Sequence, residues 1–213
     1  MKDLIIIGAG DMGREVAWIT EGINEAEPTW NILGFVDDSP EVQGTVVDGL
    51  YPVLGTIDAL SEYTGEVYVA CSVGKPRVRR MILEKVLRQE NLRPATLIHP
   101  TAIIGRGTAI GRGCIIAQNS LVAIGAELKD FVFLNTYVQI GHDVVIEDYC
   151  SVMFGSGLAG RVRVGAGTEI GTGVRVIPGI EICPECLVGA GAVVVKDITE
   201  PGTYAGVPAK KLH

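Results

Sequence analysis

The sequence predicts a small α/β domain followed by a parallel β-helix of hexapeptide repeats, with the break near residue 97. Three observations carry this prediction. The N-terminus reads as a strand, a glycine turn and a helix, and an unbroken six-residue aliphatic period follows the break. Glycine is also abundant, at 28 of 213 residues, about twice its ordinary frequency. We therefore expect two domains, residues 1–97 and residues 98–213.

The composition excludes several classes of protein. Apolar residues make up 47% of the chain, which excludes disorder. A formal net charge of −7 argues against nucleic acid as a main partner, because no excess of positive charge exists to meet phosphates. No apolar run approaches the ~20 residues of a membrane span, so we expect no membrane insertion. The short apolar run before Gly8 and the odd number of five cysteines indicate neither a signal peptide nor a disulfide framework, so we expect a cytoplasmic protein.

The first domain reads as Rossmann-like, with three to four parallel strands. Its pattern alternates buried strands with amphipathic or basic helices, as α/β proteins do. The predicted elements are a strand at 3–7, a glycine turn at 8–13, a helix from 14, strands at 31–36 and 67–71, and a basic helix at 77–89.

The glycine turn predicts a nucleotide site. A strand, turn and helix in this order aim the helix N-terminal amides at a phosphate, and carboxylates after the second strand can accept hydrogen bonds from ribose hydroxyls or a base. A tight turn without a ligand remains the alternative, because the glycine motif alone is weak evidence. One mononucleotide half is present, not two, so a nucleotide-linked small molecule fits better than nicotinamide chemistry. The candidate residues are Gly8, Gly10, Asp11, Met12, Gly13, Asp37, Asp38 and Gly74.

From residue 98 onward every sixth residue is Ile, Leu or Val, seventeen times in succession. A helix cannot carry this period, whereas a short strand plus a corner can. The position four after each anchor is always small or β-branched, which gives each strand two inward side chains. Three hexads close a triangular coil of eighteen residues, and five to six coils stack ~4.8 Å apart. Glycine often follows an anchor, as at Gly105, Gly111, Gly141 and Gly165, and we expect it to permit the backbone conformation of a corner. The anchors are Ile98, Ile104, Ile110, Ile116, Val122, Leu128, Leu134, Ile140, Ile146, Val152, Leu158, Val164, Ile170, Val176, Ile182, Val188 and Val194.

The cysteines fit the same geometry. Cys114, Cys150 and Cys186 fall on the small inward position two coils apart, so they should form one column with a spacing of ~9–10 Å, too long for disulfides. Cys183 and Cys186 look like a metal or redox pair. We favour a corner residue and a core residue, because no second ligand pair exists, and we expect no metal.

His142 is the candidate proton-transfer group. It lies two residues after an inward anchor, so it should point outward, where an ordinary surface histidine remains the alternative. Asp143 can orient the imidazole and stabilise its charged form. Gly160 lies one coil later, and its amide should sit over the imidazole, where it can hold a carbonyl oxygen that becomes negative. His99 reads as a structural cap and His213 as a frayed terminus.

Five motifs, taken in order, resemble the bacterial sugar O-/N-acyltransferases. That family includes sialic-acid O-acetyltransferases and the N-acetyltransferases of UDP-4-amino sugars, and the resemblance covers nearly the whole chain. The motifs are the hexapeptide repeats and the segments 8–17 (GAGDMGREVA), 34–38 (GFVDD), 141–143 (GHD) and 205–210 (AGVPAK).

The resemblance implies a homotrimer of left-handed β-helices with the active site between neighbouring prisms. It implies acetyl-CoA as donor and a nucleotide sugar or other sugar as acceptor. His142 matches the general base, Asp143 the helper carboxylate and Gly160 the amide that binds the thioester oxygen. Thr172 and Ala190, one coil apart, match positions where main-chain groups meet the pantetheine arm.

CoA is polyanionic although the chain is acidic, so local positive charge must compensate. Lys210 is our candidate CoA contact among the basic residues of the last third, which read equally well as solvated corner residues. These residues are Arg161, Arg163, Arg175, Lys196, Lys210 and Lys211. Two positions depart from the family pattern, namely Asp11-Met12 in the glycine turn and Ser151, where some relatives carry a second histidine.

Together these features predict direct acetyl transfer from acetyl-CoA to an amino or hydroxyl group of a sugar, with His142 as general base. Within the reaction, Cys150 as an acyl-carrying nucleophile is the rival interpretation. Two alternatives of other classes stay open: a trimeric nucleotide-sugar-binding scaffold without catalysis, and a small NAD-dependent oxidoreductase.

Overall fold

The computed structural model describes residues 1–212, and His213, expected to be frayed, lies outside the described residues. The chain forms two compact units, Met1–Leu97 and Ile98–His213. Neither helix within residues 1–212 is long and apolar enough to cross a bilayer.

The first unit is a Rossmann-like six-stranded sheet with the strand order β3-β4-β2-β1-β5-β6. Five strands run parallel, and β3 pairs antiparallel with β4. Its strands are β1 (Lys2–Ile7), β2 (Trp30–Val36), β3 (Val46–Val47), β4 (Tyr51–Gly55), β5 (Val67–Cys71) and β6 (Leu92–Pro94). Its helices are α1 (Asp11–Ala26) and α2 (Pro76–Val86), with 3₁₀ turns at Pro40–Val42 and Ile57–Glu62.

The prediction of three to four parallel strands was wrong, because the sheet has five and the sequence did not indicate β4 or β6 as strands. Each of these two strands contains a proline, Pro52 or Pro94, and proline lowers the strand signal of a short segment. The central strand β1 matches its apolar pattern, since its last four residues are fully buried. Helix α1 packs the side of Val16 and Ile19 into the same core.

The second unit is a left-handed parallel β-helix, as predicted, with three faces built from strands of two or three residues. The first face contains β7 (Leu97–Ile98), β10 (Ile115–Ile116), β13 (Phe133–Leu134), β16 (Ser151–Val152), β19 (Glu169–Ile170) and β22 (Cys186–Val188), and is extended by β24 (Gly202–Ala205) and β25 (Lys210–Lys211). The second face contains β8 (Ile103–Ile104), β11 (Leu121–Val122), β14 (Gln139–Ile140), β17 (Gly157–Leu158), β20 (Arg175–Val176) and β23 (Val193–Val194). The third face contains β9 (Ala109–Ile110), β12 (Glu127–Leu128), β15 (Val145–Ile146), β18 (Arg163–Val164) and β21 (Glu181–Ile182).

As far as Val194, each coil pairs in register with the next one eighteen residues later, as Ile140 pairs with Leu158. The last pairing, Cys186 with Gly202, spans sixteen residues. The anchors from Ile116 to Val194 are at most 3% exposed, and burying each one stabilises the fold by about 1.5–3 kcal/mol. Ile104 departs from this pattern because it is 37% exposed. Ile104 still pairs in register with the buried anchor Val122. Only the prediction of burial fails there, because β8 is the last strand of its face.

The small inward positions carry buried hydroxyls and thiols that find acceptors in the next coil. Ser120 Oγ donates to Asn135 O at 2.8 Å, and Ser156 Oγ donates to Gly171 O at 2.6 Å. Such bonds remove the cost of burying a polar group. The three cysteines of the predicted column lie in register on the first face and are buried, with no disulfide among them, which confirms their core role. They are Cys114, Cys150 and Cys186.

The glycines directly after an anchor do not have the backbone conformation that we expected. Positive φ occurs three residues after an anchor, as at Gly125 (φ 67°) and Asp143 (φ 56°). The glycines directly after an anchor, such as Gly105 and Gly141, have no positive φ. They are needed for another reason, because a Cβ at Gly105 would lie 2.5 Å from Ile124 N in the next coil. Close approach between coils, not backbone conformation, therefore requires these glycines.

We predict that Gly165→Ala lowers the free energy of unfolding by about 3 kcal/mol, because the new methyl would overlap the backbone around Pro184. Gly155→Ala is the matched control. Its methyl would meet no atom within 4 Å, so only the left-handed backbone strain of about 1 kcal/mol remains. Thermal unfolding of both variants measures the difference, and equal losses would contradict the role of coil-to-coil approach.

Candidate active site

His142 follows β14 at the corner between the second and third faces, and its side chain points outward. Its Nδ1 lies 2.9 Å from Asp143 Oδ2, and the two side chains are 48% and 61% exposed. An exposed pair of this kind contributes little to stability. The contact matters for orientation, because an acceptor on Nδ1 selects the tautomer in which Nε2 is free to accept a proton.

Gly160 lies one coil above the imidazole. A Cβ built there would overlap Nε2 and would lie 2.6 Å from Cε1 and 2.8 Å from Cδ2 of His142. The imidazole therefore packs against the main chain of Gly160, and only glycine leaves room for it. Arg161 N donates to His142 O at 2.9 Å and ties the two coils together. Gly160 is buried, and within residues 1–212 no hydrogen-bond acceptor pairs with its amide.

A groove of about 320 Å³ runs along the second face beside this corner. Gly141 and Ala159, the residues directly before His142 and Gly160, form one edge of it. The residues that line it are mostly apolar. Arg175 also lines it, and its Nη1 donates a hydrogen bond to Gly155 O at 2.5 Å. A long, flexible ligand that lies in this groove would pass the imidazole corner.

Thr172 and Ala190 lie at a different corner, between the first and second faces. The N–H of Gly191, the residue after Ala190, donates to Thr172 O at 2.8 Å. Thr172 and Ala190 are therefore one coil apart, as expected. Both are exposed. Within one chain, Thr172 and Ala190 do not lie at the corner of His142, because the second face separates the two corners.

The basic residues of the last third are dispersed rather than clustered. Arg163 lies on the third face with Nε 3.9 Å from Glu181 Oε1, and Lys211 pairs with Glu200 at 2.8 Å. Lys210 is exposed in β25, which pairs with β24 near the C-terminal end of the helix. Their proximity in sequence does not produce one basic patch, because consecutive hexads occupy different faces.

The first unit has a pocket of about 320 Å³ at the carboxyl ends of β1, β2 and β5. It brings together most of the residues that the glycine turn predicted. No lysine or arginine is among its lining residues. The lining residues are Gly8, Gly10, Asp11, Met12, Gly13, Asp37, Ser72, Val73 and Gly74.

Asp37 and Asp38 have different positions despite their adjacency. Asp37 Oδ2 accepts a hydrogen bond from Ala9 N at 2.8 Å, and Oδ1 accepts one from Ser39 N at 2.8 Å. Asp37 therefore holds the glycine turn in place. Asp38 does not line the pocket, because its Oδ1 accepts a hydrogen bond from Ile57 N at 2.9 Å.

Sequence reasoning missed two residues that shape this pocket. Ser72 Oγ donates to Ile7 O at 2.8 Å and packs against Gly8. Arg79 is 2% exposed, and its Nη1 donates to Val73 O at 2.8 Å, so it braces the loop on the other side of the pocket. Ser72 carried a weak signal as the residue directly after a buried strand. Arg79 carried none, because it reads as part of a basic surface helix.

The cysteine pair fits the core interpretation. The Sγ atoms of Cys183 and Cys186 are 3.4 Å apart without a disulfide. Burial and the contact with Cys183 raise the pKa of the Cys186 thiol to about 12, so it stays protonated at neutral pH. Among residues 1–212 no three His, Cys, Asp or Glu side chains are grouped to hold a metal ion.

Comparison with known proteins identifies relatives of both units. The family described as PglD N-terminal domain matches residues 3–86. The acetyltransferase domain of PglB from Neisseria gonorrhoeae is 33% identical over the full length of both chains, with a TM-score of 0.91, and it has also been solved in complex with acetyl coenzyme A. A histidine-to-asparagine mutant of perosamine N-acetyltransferase from Caulobacter crescentus, in complex with CoA and GDP-perosamine, is 28% identical with a TM-score of 0.87 and covers 100% of this chain and 98% of that one.

Curated sequences give a shorter match. A probable UDP-3-O-acylglucosamine N-acyltransferase from Arabidopsis thaliana is 33% identical over 86 residues, which is 40% of this chain and 28% of that protein. The match with the corresponding enzyme of Delftia acidovorans is 30% identical and covers 38% of this chain and 24% of that protein. The chain thus spans about a quarter of the length of these relatives.

We predict that Asp37→Asn lowers the free energy of unfolding by about 1–3 kcal/mol, because an amide cannot accept from both backbone N–H groups that the carboxylate now binds. Asp38→Asn is the control. Its one bond to Ile57 N survives on the amide oxygen, so the change should stay within about 0.5 kcal/mol. Chemical denaturation of both variants gives the comparison, and equal stabilities would remove Asp37 as the organiser of the glycine turn.

Proposed function

Because the chain belongs to the bacterial sugar acyltransferases with hexapeptide repeats, we propose that it transfers an acetyl group from acetyl-CoA to a nucleotide-linked sugar. The relatives that bind acetyl coenzyme A, CoA and GDP-perosamine support this donor and this acceptor class. Several relatives are N-acyltransferases by name, which favours an amino group over a hydroxyl as the acceptor.

His142 is the proposed general base. The proposal rests on the position of the His142 imidazole. Asp143 Oδ2 contacts its Nδ1, and the main chain of Gly160 lies beside its Nε2. In the proposed reaction Nε2 removes a proton from the sugar amine as the amine nitrogen attacks the acetyl thioester carbon. Asp143 stabilises the imidazolium that forms. Histidine is also the residue substituted in two solved structures of perosamine N-acetyltransferase, which agrees with a histidine of functional importance.

The Gly160 amide is the proposed oxyanion donor. As the amine adds, negative charge develops on the carbonyl oxygen, and an N–H without another partner can bind it. Collapse of the tetrahedral intermediate breaks the carbon–sulfur bond and releases CoA, whose sulfur takes up the proton held by the imidazolium. No acyl-enzyme forms in this sequence. Cys150 is a poor nucleophile in any case, because it is buried in the helix core.

The donor site is proposed to lie between neighbouring prisms of a homotrimer. This arrangement would allow Thr172 and Ala190, which occupy a separate corner of the same chain, to meet the pantetheine arm at a site that His142 completes. Lys210 is the proposed contact for the CoA phosphates. The groove of the second face offers an apolar surface next to the imidazole, which suits the pantetheine chain.

The acceptor's nucleotide is proposed to bind in the pocket of the first unit. In this proposal the backbone of the glycine turn at the start of α1 offers helix N-terminal N–H groups to a phosphate. Asp11 and Asp37, which line the pocket, would accept hydrogen bonds from hydroxyls. Asp38 is a weaker candidate, because its carboxylate is bonded outside the pocket.

We expect His142→Ala to lower kcat/KM at least about a hundredfold, since general-base assistance contributes about 10²–10⁴. CoA release from acetyl-CoA, with GDP-perosamine or a UDP-4-amino sugar as acceptor, measures the rate, and light scattering checks that the oligomer persists. Cys150→Ala serves as the control and should remain active. A near-wild-type rate for His142→Ala would end the proposal, and an inactive, folded Cys150→Ala would favour the covalent route.

Isothermal titration with acetyl-CoA tests the alternative of a scaffold without catalysis. We expect saturable heat, with one site per chain and no requirement for the acceptor. Titration with NADH is the matched control and should give no heat, because a dinucleotide domain ordinarily needs two mononucleotide halves and the first unit has one. Absent heat with acetyl-CoA would favour the scaffold, and heat with NADH would favour an oxidoreductase.

A further inference from the structure

We propose that Gly125 is a positioning residue for the catalytic base. By lacking a side chain it leaves open the space that the Asp143 carboxylate occupies, and so keeps that carboxylate turned toward His142. The inference rests on the proposed role of His142 and adds a residue one coil away that contacts no substrate.

Gly125 and Asp143 occupy the same corner position in successive coils. A Cβ built on Gly125 would lie 2.6 Å from Asp143 Oδ1 and 3.8 Å from its Cγ. The other carboxylate oxygen, Oδ2, is 2.9 Å from His142 Nδ1. One oxygen therefore lies over the bare main chain of Gly125 while the second contacts the imidazole, so both contacts together define the rotation of the carboxylate.

An added methyl at Gly125 would act on the carboxylate rather than on the fold. Asp143 is 61% exposed and has space on its solvent side, whereas Gly125 N is held by Arg106 O at 3.2 Å and Asp143 N by Ile124 O at 3.1 Å. The side chain can move and the two coils cannot. Little energy opposes the movement, because an exposed ion pair or hydrogen bond is worth about 0–1 kcal/mol.

Displacement of the carboxylate would change which imidazole nitrogen carries the proton. With Asp143 Oδ2 as acceptor, Nδ1 holds the hydrogen and Nε2, beside Gly160, stays free to accept one. Without that acceptor the opposite tautomer becomes populated, and it presents an N–H where the base is needed. A folded variant would then bind its substrates normally and turn over slowly.

Gly107 supplies a matched control. It lies one coil below Gly125 at the same corner, with φ 72° against 67° for Gly125. A Cβ on Gly107 would meet its nearest atom, Gly125 N, only at 4.0 Å. Gly107→Ala therefore imposes the same left-handed backbone strain without touching a carboxylate.

A double-mutant cycle separates positioning from strain. Gly125→Ala should lower kcat between about tenfold and a hundredfold, the scale of an error near 1 Å in the placement of a catalytic group, and should leave the KM for acetyl-CoA within about twofold. Gly107→Ala should leave both constants unchanged. In an Asp143→Ala background Gly125→Ala should have no further effect, because the atoms it displaces are gone. Equal losses in both backgrounds, or equal losses for the two glycine variants, would overturn the proposal.

The imidazole tautomer gives a second readout that needs no acceptor sugar. In ¹⁵N-labelled protein the His142 signals are assigned by their loss in His142→Ala. The wild type and Gly107→Ala should hold hydrogen on Nδ1, and Gly125→Ala should shift population toward Nε2–H. Gly125→Asn is the second variant if the alanine protein does not fold, because asparagine tolerates positive φ and carries the same Cβ. An unchanged tautomer in a folded variant would overturn the inference.

The two proposals fail in different ways. An active His142→Ala protein would remove the general-base function, whatever the tautomer of the imidazole. An inactive His142→Ala protein with an additive double-mutant cycle would leave that function intact and remove only the positioning role of Gly125.

Discussion

As far as Val194, the parallel ladder of the second unit pairs each strand residue with the residue eighteen positions later. Because the pairing has no shift from coil to coil, a residue at a corner lies beneath the same corner residue of the next coil. Side chains far apart in sequence become vertical neighbours at the spacing of hydrogen-bonded strands, about 4.8 Å. The aliphatic anchors hold this register, since a slip by one residue would expose every one of them.

The candidate site uses that register directly. His142 meets Gly160 because they share a corner one coil apart, and Asp143 meets Gly125 for the same reason one position further along. The residues that present chemistry belong to rungs of a stacked core rather than to long loops, and such rigidity is what a catalytic arrangement requires. Glycine serves two purposes at these corners: it leaves room for the main chain of the next coil or for a side chain from the neighbouring one.

The pocket of the first unit is held by the protein's own polar groups. Asp37 binds the amide of Ala9, Ser72 binds the carbonyl of Ile7, and buried Arg79 binds the loop that contains Gly74. These bonds keep the carboxyl ends of three strands in a set arrangement before any ligand arrives. Preorganisation of this kind would reduce the entropy lost by a ligand that binds in this pocket.

The sequence by itself determined the period-six core, the column of three cysteines, the outward direction of His142 and its coincidence with Gly160, because all of these follow from counting in units of six and eighteen. It also located the glycine turn, since strand, glycines and helix are local features. Only the tertiary structure decided that β4 and β6 join the sheet, that Asp38 turns away from the pocket, that Arg79 is buried, and that Gly105 is required by close approach rather than by φ. Those outcomes depend on distances between coils and on competing hydrogen bonds, and neither quantity is encoded in the spacing of residue types.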